Sequence, residues 1–165
     1  MSPRSPFLID VSDLARRPGR VRPVTIESPA EWAVGLSRTL PEPPLVASLE
    51  LAPAAGGVLV RGRVRFTAEH TCHRCLDPVR EVMSIDVSEL FAEPGVDEDA
   101  EYAVVGEELD LEPLIRDEIL LAMPLLPTCA GECAGPAAGA PAVDEDAADE
   151  TGSPFAGLRD LFEQD

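Results

Sequence analysis

The sequence predicts an α+β domain: a mainly antiparallel sheet, built as a meander or hairpin and either open or barrel-like, covered by one main C-terminal helix and followed by a disordered acidic tail. Three observations predict it. Val58, Val60, Gly62, Val64 and Phe66 alternate with Leu59, Arg61, Arg63 and Arg65, and Met83, Ile85 and Val87 alternate with Ser84, Asp86 and Ser88. Two such period-two runs flanking a short loop read as an antiparallel hairpin with Cys72-His73-Arg74-Cys75 at its tip. Leu111, Leu114, Ile115, Ile119, Leu121 and Ala122 recur at helical spacing and form an apolar stripe suited to lie on a sheet. Beyond Cys133 the composition turns to Ala, Gly, Pro and acid without periodicity.

In chain order, Phe7 to Val11 reads as an apolar entry strand, with Ser12 or Asp13 capping a short helix through Arg17 that Pro18-Gly19 ends. Val21 to Ile26 is β-branched enough for a strand. Ser28-Pro29-Ala30-Glu31 has the form of a capping box, which predicts a helix carrying Trp32 and Leu36, weakened by Gly35, until the prolines at 41, 43 and 44 stop it. Leu45 to Leu51 alternates as another strand, and Ala52 to Gly57 turns it into the hairpin. Glu93 to Glu101 is an acidic loop, and Tyr102 to Val105 reads as one more short strand. Asp110 caps the main helix, with Glu112 and Pro113 in its first turn, and Pro124 terminates it. The domain reading is therefore 1–133 folded, 134–153 a disordered linker, and 154–165 a short amphipathic segment bearing Phe155, Leu158, Leu161 and Phe162.

Charge is divided unevenly along the chain. Residues 1–80 hold 11 Arg against 8 acids, whereas 81–165 hold 2 Arg against 23, and there is no lysine. That asymmetry excludes an all-over nucleic-acid coat, since affinity for phosphate needs clustered cations, and it suits the second half to basic partners. The longest uncharged run, Ile119 to Gly131, has 13 residues and is interrupted by Pro124 and Pro127, so no membrane span is expected. Asp10 and Asp13 interrupt the N-terminus before any signal-like apolar region develops, which points to a reducing cytoplasm. Four cysteines in two close pairs then favour a metal site over disulfides.

Cys72 and Cys75, with Cys129 and Cys133, form the one sharp motif pair. Thiolates two or three residues apart can turn toward one cation, and two such loops complete a tetrahedral shell of soft ligands, with zinc the natural occupant in a structural role. Two other readings stand beside it: buried free cysteines packing as small hydrophobes, and a thioredoxin-like redox pair, for which the first motif lacks the helix-start context. His73 is placed to support the metal site and His70 reads as a surface residue. Arg61, Arg63, Arg65, Arg74 and Arg80 read either as a phosphate-contacting stripe for RNA or a partner, or as a solvated outer face. No glycine-rich phosphate loop, HExxH or G-x-S-x-G occurs, and an enzyme is not expected.

Taken together, FLIDVSDLARRPG, the arginine-bearing strand, CHRCLDP and DLEPLIRDEILLAMPLLPTCAGEC resemble the bacterial YceD family, the large ribosomal RNA subunit accumulation proteins. The resemblance covers nearly the whole chain. Its most specific parts are Cys72, Arg74, Cys75 and Leu76, and the helix leading to Cys129; the closing SPFAGLRDL is similar to the family's final segment. It implies a non-enzymatic ribosome-biogenesis factor that supports synthesis, processing or stability of the large-subunit (23S) ribosomal RNA by binding a pre-50S component, either that RNA or a basic ribosomal protein. A zinc-binding interaction module with a basic partner and a redox-active thiol protein are the alternatives. Many members continue past the second cysteine pair with a CGLCxxCG-like segment, where this chain reads CAGPAAGAPA. The four cysteines retained are then read as the minimal ligand set.

Overall fold

A computed structural model describes residues 5–15, 19–96, 99–129, 131, 133 and 135. The predicted linker at 134–153 apart from Gly135, the segment at 154–165 and the end of the first helix at Arg16 and Arg17 lie outside the described residues. The chain runs β1 (Leu8–Asp10), α1 (Ser12–Ala15), β2 (Arg22–Ser28), β3 (Ala33–Val34), β4 (Ser37–Thr39), β5 (Leu45–Ala54), β6 (Gly57–Thr71), β7 (Pro78–Ala92), β8 (Glu108–Asp110) and α2 (Glu112–Ala122).

β6 is the centre of the main sheet. Its whole length pairs antiparallel with β7, from Gly57 opposite Ala92 to Thr71 opposite Pro78, so the predicted hairpin is present and longer than its alternating runs suggest. On its other edge β6 pairs first with β5 and then, nearer the tip, with β4. The prolines at 41, 43 and 44, which cannot donate to a ladder, interrupt that edge between the two. β2 adds outside β5, and β3 outside β4. Among the described residues no ladder joins β2 to β7, so the sheet is open and not a barrel. β5, β6 and β7 form the expected meander.

The inner face carries the aliphatic core. Leu45, Ala47, Leu49 and Leu51 of β5, Val60, Val64 and Phe66 of β6, and Val87 and Phe91 of β7 are buried, as alternation requires. Gly62 interrupts the β6 row for a steric reason. At its φ of +153°, a Cβ would stand 2.2 Å from the Ser48 carbonyl oxygen and 2.8 Å from Leu49 Cα, so only glycine lets β5 approach at this point.

Three sequence expectations need correction. The helix expected after Ser28 is instead the β3–β4 hairpin: Val34 pairs with Ser37, leaving Gly35-Leu36 as a two-residue turn with Gly35 at φ +56°. Thr39 holds it shut by accepting from the Trp32 amide at 2.8 Å through Oγ1 and donating its own amide to the Trp32 carbonyl at 2.8 Å. Pairing of β4 with β6 outweighs the local capping signal. Tyr102 to Val105 makes only isolated bridges, Ala103 to Ala92 and Val105 to Glu108, in place of a strand. α1 is capped not by Ser12 or Asp13 but by Asp10, whose Oδ1 accepts the Ser12 amide at 2.9 Å, while Asp13 pairs with Arg22 at 2.6 Å.

The second layer comes from both ends of the domain. β1 pairs with β8, an element not visible as a strand in the sequence, and this brings Phe7 beside Leu111 at the start of α2 and Val11 beside Glu107. The N-cap of α2 is Leu111 rather than the expected Asp110; Asp110, one residue earlier, accepts the Glu112 amide through Oδ1 at 3.0 Å, and the chain turns extended at Met123 before Pro124. α2 lies against β7 and buries Leu114, Ile115 and Ile119, each worth roughly 1.5–3 kcal/mol of apolar transfer. The stripe is narrower than predicted, because Leu121 is 81% exposed and Ala122 also faces out, while Met123 is buried instead. Ile119→Ala should therefore cost about 2–5 kcal/mol in urea unfolding. Leu121→Ala should stay within about 0.5 kcal/mol of the parent, and equal losses at the two positions would show that α2 packs differently.

Candidate metal centre

The β6–β7 ladder ends at Thr71 and Pro78, so the six residues between them form a tip whose position is set by fifteen registered pairs. Within it the chain reverses tightly: the Leu76 amide donates to the Cys72 carbonyl and the Cys72 amide to the Asp77 carbonyl, both at 2.9 Å. Leu76 takes a left-handed φ of +64° to do this, a conformation that costs an L-residue energy that glycine avoids.

The second pair is delivered by hydrogen bonds to the same end of the sheet. After α2, the Pro124 carbonyl accepts from Ser37 Oγ at 3.3 Å. The Pro127 carbonyl accepts both the His73 amide at 2.9 Å and His73 Nδ1–H at 3.0 Å. His73 thus supports the centre from outside, clamping one cysteine loop to the other, with its imidazole turned to a carbonyl. Neither proline carbonyl was singled out from the sequence, although Pro124 and Pro127 bracketing Leu125 and Leu126 mark a segment with few amides of its own to satisfy.

His70 is not a surface residue. It is 2% exposed, because it continues the inward row of β6 through Ala68. Burial demands partners, and it has them: Nδ1 meets Ser37 Oγ at 2.8 Å and Nε2 meets Glu81 Oε1 at 3.0 Å. Ser37 thereby connects His70 to the Pro124 carbonyl, and β4, β6 and β7 are joined to the segment that leads into Cys129.

These supports bring all four predicted cysteines together. The sulfur atoms of Cys72, Cys75, Cys129 and Cys133 lie within 4.8 Å of one another, with Cys75 to Cys129 at 3.3 Å and Cys72 to Cys133 at 3.8 Å. Ala130 and Glu132, between the second pair, lie outside the described residues. A tetrahedral thiolate shell with bonds of about 2.3 Å needs sulfur separations of about 3.8 Å, so the donor set fits one thiophilic cation with little movement. Four thiolate donors leave such a cation no open position.

The thiols do not ionise alike. Cys72 is lowered to about 5, first by the backbone of Cys75 and then by that of Arg74, whose dipoles favour a thiolate there. At Cys75 the Asp77 backbone pulls the same way, but the Cys129 thiol, burial, and then Cys72 and Cys133 outweigh it and hold the group above the ordinary thiol value. Cys129 is likewise raised: its contact with Cys75 lowers it, but Cys72, burial and Cys133 prevail. The Cys72 environment thus favours the thiolate, whereas those of Cys75 and Cys129 favour the protonated thiol.

The predicted arginine stripe is exposed on the outer face and at the tip. Arg61 pairs with Glu50 at 3.0 Å, Arg63 with Asp86 at 2.9 Å, and Arg80 with Glu69 at 2.6 Å. Arg38 shares that same Glu69, and Arg38 and then Arg80 hold its carboxyl below the usual range. Arg65 and Arg74 make no salt bridge among the described residues. Also among them, no helix is long and apolar enough to cross a membrane.

Comparison with known proteins gives a consistent relationship. The profile of the family described as large ribosomal RNA subunit accumulation protein YceD matches residues 60–162. An uncharacterized protein of Mycobacterium tuberculosis is 35% identical over 151 residues, covering 86% of this chain and 73% of its own, and one from Mycobacterium bovis gives the same figures. An uncharacterized protein of Mycobacterium leprae is 31% identical over 139 residues, covering 79% of this chain and 64% of its own. No solved structure matches.

Two outcomes follow from the geometry. Since Cys75 and Cys129 keep their protons until a cation displaces them, affinity for cobalt(II), read by thiolate charge-transfer absorption against a competing chelator, should rise at least about a hundredfold per pH unit between about pH 6 and 8. Acidification therefore releases the ion, and an affinity flat across that window would contradict the ligand assignment. Leu76→Gly should raise stability in urea by about 1 kcal/mol by relieving the left-handed conformation, and a loss of stability would place the strain elsewhere.

Proposed function

Because the chain belongs to the YceD family of large ribosomal RNA subunit accumulation proteins, we propose that it is a non-enzymatic, cytoplasmic ribosome-biogenesis factor that supports synthesis, processing or stability of the 23S ribosomal RNA by binding a component of the pre-50S particle. The observation that carries this is the extent of the family match, which takes in β6, β7, α2 and all four cysteines as one unit. The family's description links its members to accumulation of large-subunit RNA. Binding, rather than chemistry on that RNA, is our reading of a centre built as a closed shell.

Zinc is the cation we assign to the four cysteines. The support is the donor chemistry: four soft thiols, two to a loop, with no position left for water or substrate. In this role zinc would neutralise the thiolates and lock the hairpin tip to the segment after α2. Cys72, Cys75, Cys129 and Cys133 would hold it, and His73 and Ser37 would keep the two loops in register from outside.

Charge favours a basic ribosomal protein over RNA as the direct partner. Arg61, Arg63 and Arg80 are already neutralised by carboxylates on neighbouring strands, and residues 81–165 hold 23 acids against 2 arginines. Phosphate binding draws on unpaired cations and an acidic half opposes it, whereas a basic polypeptide gains from both.

Removal of the gene should lower 23S relative to 16S RNA and deplete mature 50S subunits in sucrose gradients, with the intact gene restoring both. Unchanged RNA ratios and subunit profiles would refute the biogenesis role. Protein purified without added metal should contain about one zinc per chain by elemental analysis, and the Cys75→Ser variant should lose it. Zinc-free protein with all thiols reduced would refute the cofactor while leaving the RNA phenotype to stand by itself.

A further inference from the structure

The four thiols form two pairs in sequence but one cluster in space. Both close sulfur contacts run between the motifs, Cys75 to Cys129 at 3.3 Å and Cys72 to Cys133 at 3.8 Å, across sequence separations of 54 and 61 residues. Four cysteines can pair in three ways, and a thioredoxin-like centre would pair Cys72 with Cys75. All four sulfurs lie within 4.8 Å of one another here, and the two contacts at 3.3 and 3.8 Å each join thiols of opposite loops.

We infer that the centre is also a site of reversible oxidation, in which a peroxide-class oxidant converts the metal-free thiols into two disulfides, Cys72–Cys133 and Cys75–Cys129, that join the hairpin tip to the segment after α2. In each pair one thiolate attacks a peroxide oxygen, the O–O bond breaks, and a sulfenic acid forms as hydroxide leaves and is protonated to water. The second thiol attacks that sulfur, the S–O bond breaks, and a second water departs. Each disulfide thus consumes one hydrogen peroxide and two thiols and yields two waters, with sulfur oxidised and peroxide oxygen reduced.

Little rearrangement is needed. A disulfide bond of about 2.05 Å requires the two pairs to close by about 1.3 and 1.8 Å from their separations of 3.3 and 3.8 Å. The loops are already held together without a cation, by the His73 contacts to the Pro127 carbonyl and by Ser37 Oγ on the Pro124 carbonyl. Oxidation therefore exchanges one cross-link between the loops for another and leaves their contact intact. In a reducing compartment such bonds are transient and return to thiols, which is the behaviour of a sensor and not of a structural disulfide. The inference goes beyond the ribosomal reading and does not depend on which cation the centre holds.

The sequence supplies the means to test the pairing on the native full-length chain. Trypsin cleaves after Arg74, between Cys72 and Cys75, and glutamyl endopeptidase after Glu132, between Cys129 and Cys133, so each cysteine falls on its own peptide. Metal-stripped protein treated with hydrogen peroxide, alkylated and digested without reduction should show its alkylatable thiols fall from four to none, with the Cys72 peptide linked to that of Cys133 and the Cys75 peptide to that of Cys129. Dithiothreitol should restore all four. Cys133→Ser should keep the Cys75–Cys129 link and leave Cys72 free. Links within either motif, a scrambled mixture, or irreversible sulfinic acids would each overturn the inference, and the zinc content of untreated protein reports separately on the metal assignment.

Discussion

The register of β6 against β7 is the constraint on which the rest of the molecule depends. Fifteen antiparallel pairs fix which side chains face inward, and a slip of one residue would exchange Val60, Val64 and Phe66 for the arginines at 61, 63 and 65. Gly62 pins the opposite edge, because a Cβ at that position would push the β5 backbone away at Ser48 and Leu49. The same ladder ends by holding Cys72 at a fixed height above the sheet. Core packing and the placement of the first cysteine pair are therefore one constraint expressed at two places.

The second pair reaches that height by a different physical route. α2 is anchored through Leu114, Ile115 and Ile119, and its axis ends where Pro124 forbids continuation. From there the chain has no ladder to follow. Its carbonyls at Pro124 and Pro127 are taken by Ser37 and His73 instead, and Ser37 is itself set by His70 in the inward row of β6. A buried polar group with every partner satisfied specifies position more sharply than an apolar contact of similar area, since displacing it leaves donors or acceptors unpaired. That specificity suits a segment whose task is to present two sulfurs to two others.

What the sequence made legible was what local periodicity encodes. The alternating runs of β5, β6 and β7, the start of α2 to within a residue and the Pro124 stop are properties of short windows, and all appear in the structure. The helix predicted at 28–36 fails because Gly35 turns the chain within that window and the pairing of β4 on β6 acts at longer range, and together they outweigh the capping box. His70 was misplaced for want of carrying the β6 alternation two steps past Phe66; parity alone puts it inside. Leu121 shows the opposite error, a residue that fits the stripe by spacing but falls past the width that β7 covers. The β1–β8 pair and the clamp on Pro127 were not legible at all, since each joins short segments roughly fifty to a hundred residues apart by backbone atoms that every residue shares.

Small thiolate-zinc domains commonly need the metal to fold because they have no other core. This chain differs in kind. Its apolar cluster runs from Phe7 to Met123 through both layers, Cys72 is the one fully buried cysteine of the four, and the cysteine loops are held by carbonyl hydrogen bonds that do not involve sulfur. Most of the core therefore lies apart from the cysteine tip. A cation held there would add to a core that the sheet and α2 already supply, and its effect would be confined to the one end of the domain where hairpin and helix segment meet. Separation of this sort is what allows a metal centre to respond to conditions, whereas a centre that carries the core can only be present or lost with the fold.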